Sequence, residues 1–152
     1  MSKVHSYHHI VFSTRLRQPS LNSLNREALY RCIWSETTKM NCHLLRIGGM
    51  ADHVHILVDI HPTVCIANFV KEIKTSSGFW MKNSGLFPKF SGWNKEYFAE
   101  SKSPNDIPVI IEYIKNQESH HKTGSFLEEI KGLYERAGLR WDARDYPNEE
   151  QC

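Results

Sequence analysis

His53-Val54-His55 is the first group in this sequence able to do chemistry. On a strand, side chains alternate with a period of two, so both imidazoles point to one face. Two imidazoles this close can hold one divalent metal if a third group joins them. The same tripeptide also describes two half-exposed strand histidines with no metal. A second group is Tyr113, Gln117 and His120, with His121 beyond. At about 100° per residue these fall together on the flank of a helix whose apolar stripe is Ile107, Ile110, Ile111 and Ile114. From that flank they can look into a cleft, or they can form the polar shoulder of an ordinary amphipathic helix. A third group interleaves cations with rings: Lys3, Arg15, Arg17, Lys71, Lys74 and Lys95 with Trp93, Tyr97 and Phe98. Cations track phosphates while rings stack on unpaired bases, although solvated lysines over core aromatics leave the same pattern.

These groups must be positioned by the elements around them. Residues 4–14 read as a strand, and 23–39 as a helix with apolar positions Leu24, Ala28, Leu29, Cys32 and Ile33. Two strands follow at 42–49 and 53–60, joined through a glycine-containing turn. Asp52 precedes His53, where it can orient the imidazole or simply belong to that turn. Thr63 is placed to cap a second helix with the stripe Ile66, Phe69, Val70, Ile73 and Trp80, and a fourth strand is expected around 95–101. The order β-α-β-β-α-β predicts an α+β fold of the ferredoxin-like kind, one antiparallel sheet with both helices on one face. Val54, Ile56 and Val58 should then face the helices, leaving His53 and His55 on the open face. A fifth element runs from about Asn105 to His121 and carries Tyr113. A last helix begins at Ser125, where Glu128 completes a capping box, and stops at Gly138. The polar tail after it is expected to fray.

Composition narrows the class. The 152 residues carry 19 Lys+Arg and 17 Asp+Glu, a net charge of +2. Residues 1–100 hold 12 basic and 7 acidic side chains (+5), and residues 101–152 hold 7 and 10 (−3). A basic body with an acidic end is compatible with nucleic acid at one face. No apolar run approaches a membrane span and no secretion signal is evident, so the expected location is cytoplasmic, with Cys32, Cys42, Cys65 and Cys152 reduced. One domain over 1–152 is expected.

Taken jointly, YHHIVFSTRLRQP (7–19), DHVHILVDI (52–60), WNKEYFAES (93–101) and EYIKNQ (112–117) resemble the single-tyrosine HUH transposases of the insertion-sequence 200/605 group and their repeat-associated relatives. The likeness runs in order over about residues 5–121, leaving 122–152 as a C-terminal extension. It implies that His53, His55 and Gln117 hold a divalent ion, Mg²⁺ or Mn²⁺, and that Tyr113 is the nucleophile. It implies cleavage and rejoining of hairpin-ended single-stranded DNA through a 5′-phosphotyrosine. It also implies a homodimer in which one subunit's tyrosine helix serves the other's histidines. Arg15, Arg17, Lys71, Lys74 and Lys95 are the candidate DNA contacts, and the segment Thr14–Arg17 is one cation poorer than the family's usual basic run. The competing reading is a non-catalytic module of the same fold that grips a nucleic-acid hairpin. The four intact positions count against a decayed enzyme.

Overall fold

The structure is a computed structural model that describes residues 3–117 and 125–147. His120, His121 and Cys152 lie outside the described residues. The elements are β1 (Tyr7–Ser13), α1 (Arg26–Lys39), β2 (His43–Gly49), β3 (His53–Asp59), α2 (Ile66–Ser84), β4 (Phe98–Lys102), α3 (Ile107–Lys115) and, as α4, Phe126–Arg136. The four strands form one antiparallel sheet in the order β2-β3-β1-β4, the split β-α-β arrangement expected from the element order. Among the described residues, no helix is long and apolar enough to cross a membrane.

Alternation along the strands divides the chain between two faces. Ile10 and Phe12 of β1 and Val54, Ile56 and Val58 of β3 pack against Leu29 and Ile33 of α1 and Phe69, Val70 and Ile73 of α2. The α2 cap differs from expectation: Cys65 Sγ, rather than Thr63, accepts the Asn68 N–H at 3.4 Å, because the helix starts at Ile66. Gly85 ends that helix in the left-handed region at φ 74°, where a side chain would be strained.

The second face corrects one expectation. It is not open: α3 lies across β2 and β3, and α4 packs beside it. Val11 and Phe98 from the sheet join Phe126, Ile130, Tyr134 and Tyr146 in a second apolar cluster. The segment after α4 does not fray up to residue 147. Tyr146 is buried, its hydroxyl meets that of Tyr134 at 2.8 Å, and the Asp145 carbonyl accepts from Asn94 Nδ2 at 2.8 Å. An amphipathic last helix and a tail holding Trp141 and Tyr146 carry enough apolar surface to close the face their polar neighbours had suggested was free.

Close approach of α3 depends on Gly48. A Cβ there would stand 2.8 Å from the Ile114 carbonyl oxygen and 2.9 Å from Ile114 Cγ2. The nearest atom is backbone, so the helix itself must move. Gly48→Ala is therefore expected to cost about 1–3 kcal/mol by overpacking. Thermal melts check this, and an unchanged melting temperature would show that α3 has room to spare.

Candidate active site

β3 and β1 build the floor of the site. Their register sets Ser13 opposite His53 and Val11 opposite His55, so both imidazoles project towards α3 and α4. His53 and His55 have no exposed surface at all, and Gln117 is 1% exposed. Phe126 stacks on the His53 ring at 4.4 Å between centroids and 26° between planes.

Each histidine is gripped on its far nitrogen. Asp52 Oδ1 lies 2.7 Å from His53 Nδ1, the orienting contact left open by the sequence. His9 Nε2 lies 2.9 Å from His55 Nδ1, with the two rings stacked at 5.1 Å. The inward nitrogens then converge. His53 Nε2 is 3.0 Å from Gln117 Oε1 and 3.3 Å from Glu129 Oε1, and His55 Nε2 is 3.0 Å from the same Glu129 oxygen. The other Glu129 oxygen accepts from the Tyr113 hydroxyl at 2.5 Å and from Gln117 Nε2 at 3.1 Å. The spacing of four that puts Tyr113 and Gln117 on one flank of a helix thus brings both to the histidines, within a single chain.

Glu129 is the residue that sequence reasoning missed. It sits three residues after Phe126 and one before Ile130, inside the buried stripe of α4, and is 7% exposed. A carboxylate on an apolar stripe must find partners, because burying it alone is costly. That conflict was the available signal, overlooked because α4 lies outside the motifs that carried the resemblance.

The charges follow from this packing. Burial lowers the His53 pKa, but the Asp52 and Glu129 carboxylates outweigh burial and hold it up at about 9. Burial and then the neighbouring His55 keep His9 well below the usual histidine range, hence neutral. Burial and then Glu129 push the Tyr113 phenol far above its ordinary value, so it is held protonated.

The donor set suits a divalent cation. Two imidazole nitrogens, an amide oxygen and a carboxylate meet at one point, and His53, His55 and Glu129 each offer a ligand atom within 4.8 Å of the others. Adjacent donors about 2.1 Å from one small ion stand roughly 3 Å apart, which the separations of 3.0 and 3.3 Å match. These residues can hold a divalent metal ion.

The candidate cations are scattered. Arg15 and Arg17 lie in the turn after β1, where the Thr14 N–H donates to the Asp52 carbonyl at 2.8 Å, so this turn borders the histidine end of the sheet. Lys71 and Lys74 are on α2, which covers the opposite face of the sheet from Tyr113. Lys74 Nζ donates to the carbonyls of Asn94, Lys95 and Glu96 at 2.7, 3.3 and 3.2 Å. Lys74 and Lys95 border a cavity of about 460 Å³ shared with Phe79, Lys82, Phe90 and Trp93. Beside Tyr113 a different cavity of about 280 Å³ carries the cations Lys102 and Arg136, which the sequence reading did not single out.

Known proteins share this chain's sequence pattern and fold. Residues 2–117 match the family described as "Transposase IS200 like". The transposases for insertion sequence element IS200 of Salmonella typhimurium and Salmonella typhi are each 26% identical over 125 residues, spanning 79% of this chain and 82% of theirs. A candidate transposase structure from Deinococcus radiodurans R1 superposes with a TM-score of 0.60 at 26% identity, covering 76% of this chain and 93% of that one. The REP-associated tyrosine transposase, solved bound to a REP hairpin, shares the fold at a TM-score of 0.59 and 14% identity, over 80% of this chain and 73% of its own. With the family's stretch spanning all four strands, both histidines, Tyr113 and Gln117, this chain belongs to the IS200-like transposase family.

Proposed function

We propose that this chain is a metal-dependent single-stranded DNA transposase in which Tyr113 cleaves and rejoins DNA at hairpin-ended element termini. The observation that carries the reading is the convergence of the Tyr113 hydroxyl, His53, His55, Gln117 and Glu129 on one buried point. Likeness in fold to a transposase bound to a hairpin supports a hairpin substrate.

Tyr113 attacks the scissile phosphorus, the P–O3′ bond breaks, and the released 3′-hydroxyl ends with the proton that the phenol gives up. The 5′-phosphotyrosine keeps the phosphodiester energy, so a 3′-hydroxyl on another strand reverses the step without ATP. His53, His55 and Gln117 would hold the ion, and Glu129 Oε1 lies beside the same two imidazole nitrogens. When bound, Mg²⁺ or Mn²⁺ polarises the scissile phosphate and offsets charge on the leaving oxygen. Gln117 has no titratable proton and serves only as a ligand and a positioning group. Asp52 and His9 hold the two imidazoles in place. Glu129 keeps the resting phenol protonated, and it brings the same negative charge to the same donors as a phosphate would. Phe126 and Glu129 must therefore withdraw before DNA can reach the histidines.

Formation of a covalent protein–DNA adduct on single-stranded element ends with Mg²⁺ or Mn²⁺, detected by mass spectrometry, tests the reading. Hairpin binding with no cleavage under either metal would favour the non-catalytic alternative. A homodimer belongs to the same reading, but Tyr113 lies here on its own chain's histidines, so each site is expected to work in cis. Mixing His55→Ala chains with Tyr113→Phe chains should then give no adduct. Recovery towards a quarter to half of wild-type activity would instead mean that sites form between subunits.

A further inference from the structure

Beyond the ligands, the nucleophile and Glu129, a buried titratable group faces the site: His9, on the strand next to the histidine pair. It is 1% exposed, sits opposite Leu57 in the β1–β3 register, and puts Nε2 2.9 Å from His55 Nδ1. Its ring also meets that of Tyr113 edge-on at 6.0 Å. We propose that His9 is a positioning residue that sets the tautomer of His55, so that the Nε2 lone pair is presented to the metal.

An imidazole binds a metal through one nitrogen only when the proton sits on the other, and the partner of that other nitrogen decides where the proton goes. For His53 the partner is the Asp52 carboxylate, which can only accept. For His55 the partner is another imidazole, whose neutral form can either donate or accept. Both roles are open to it. In the metal-free site His55 Nε2 faces Glu129 Oε1 at 3.0 Å, and the tautomer protonated there leaves Nδ1 to accept from His9 Nε2–H. With a metal on His55 Nε2, His55 Nδ1–H donates to His9 Nε2, and the His9 proton sits on Nδ1. A group able to reverse the bond lets the site accept an ion without stranding a buried donor, which a carboxylate at this position would allow only by adding negative charge. The neutral partner also keeps the ion more electrophilic towards phosphate, since a carboxylate raises the basicity of the imidazole it holds.

This inference rests on the metal reading proposed above, and the test separates the two. Mn²⁺ affinity is measured by calorimetry on the full chain for wild type, His9→Phe, His9→Gln and His55→Ala. His9→Phe keeps a ring but neither hydrogen-bonding role and should bind 10- to 100-fold more weakly. The Gln side chain can donate and accept, so His9→Gln should stay within about threefold of wild type. Long-range ¹H–¹⁵N spectra of the Mg²⁺-loaded wild type should show His55 protonated at Nδ1 and His9 bare at Nε2, a signature that packing alone would not produce and that needs no variant to fold. Wild-type affinity in His9→Phe, equal weakening in both His9 variants, or a proton on His9 Nε2 in the loaded protein would each overturn the proposal. If wild type takes up no Mn²⁺ while still forming the DNA adduct, the metal reading and this inference fall together, and Tyr113 chemistry stands.

Discussion

Tyr113→Phe is expected to remove the covalent protein–DNA adduct, lowering its yield by on the order of 10³-fold or more, the scale seen when a nucleophile is deleted. The prediction is sharp because the substitution changes so little else. The ring, its edge contacts with His9 and His55, and its place on α3 are all kept. Only the hydroxyl is lost, and with it the 2.5 Å bond to Glu129. A buried hydrogen bond of this kind contributes about 1–3 kcal/mol, and Glu129 keeps His53, His55 and Gln117 as partners, so the fold should survive. Adduct yield by denaturing gel and mass spectrometry, beside a thermal melt, reads both quantities. An adduct of comparable yield from the Phe variant would assign the nucleophile to another residue.

His55→Ala should abolish the adduct and also destabilise the protein, which separates the structure from the sequence expectation. On an open face, truncating either histidine of the pair would have left the melt unchanged. In the structure both imidazoles are fully buried, so the truncation leaves a cavity and strips Glu129 and His9 of a partner each. The expected cost in metal-free protein is about 2–4 kcal/mol. Adding Glu129→Gln should return part of it by removing a buried charge that has lost one of its partners, a coupling that a double-mutant cycle measures. An unchanged melting temperature in His55→Ala would mean that the face opens readily in solution.

His53 adds a pH dependence. Its folded pKa of about 9 lies above the ordinary 6.5, so the stability contributed by the protonated ring is complete below pH 6.5. That contribution fades as the pH rises through 9. Metal-free wild type should therefore melt at falling temperature across this window, and His53→Ala should lose most of that slope.

Much of the arrangement was legible because it is local. Alternation along a strand is enough to place His53 and His55 together and opposite to Val54, Ile56 and Val58. Helical periodicity does the same for Tyr113 and Gln117, and the element order leads to the sheet topology. The motifs around those residues carried the family. The helix starts were off by up to three residues, at α1 and α2, where weak caps leave the boundary to tertiary contacts. What stayed hidden was long-range. Lys74, a candidate DNA contact, holds three backbone carbonyls around its ammonium that lie 20 to 22 residues further along the chain.

By itself, then, the sequence determined which side chains share a face within each element, and so the histidine pair, the tyrosine flank and the order of strands. Only the tertiary structure decided that the face is closed, that Glu129 joins the site from α4, and that His9 backs His55. The reason is physical. Direction within an element follows from backbone periodicity over a few residues, whereas docking depends on surfaces far apart in the chain. Gly48 admitting Ile114 and Phe126 lying flat on His53 are contacts of that second kind.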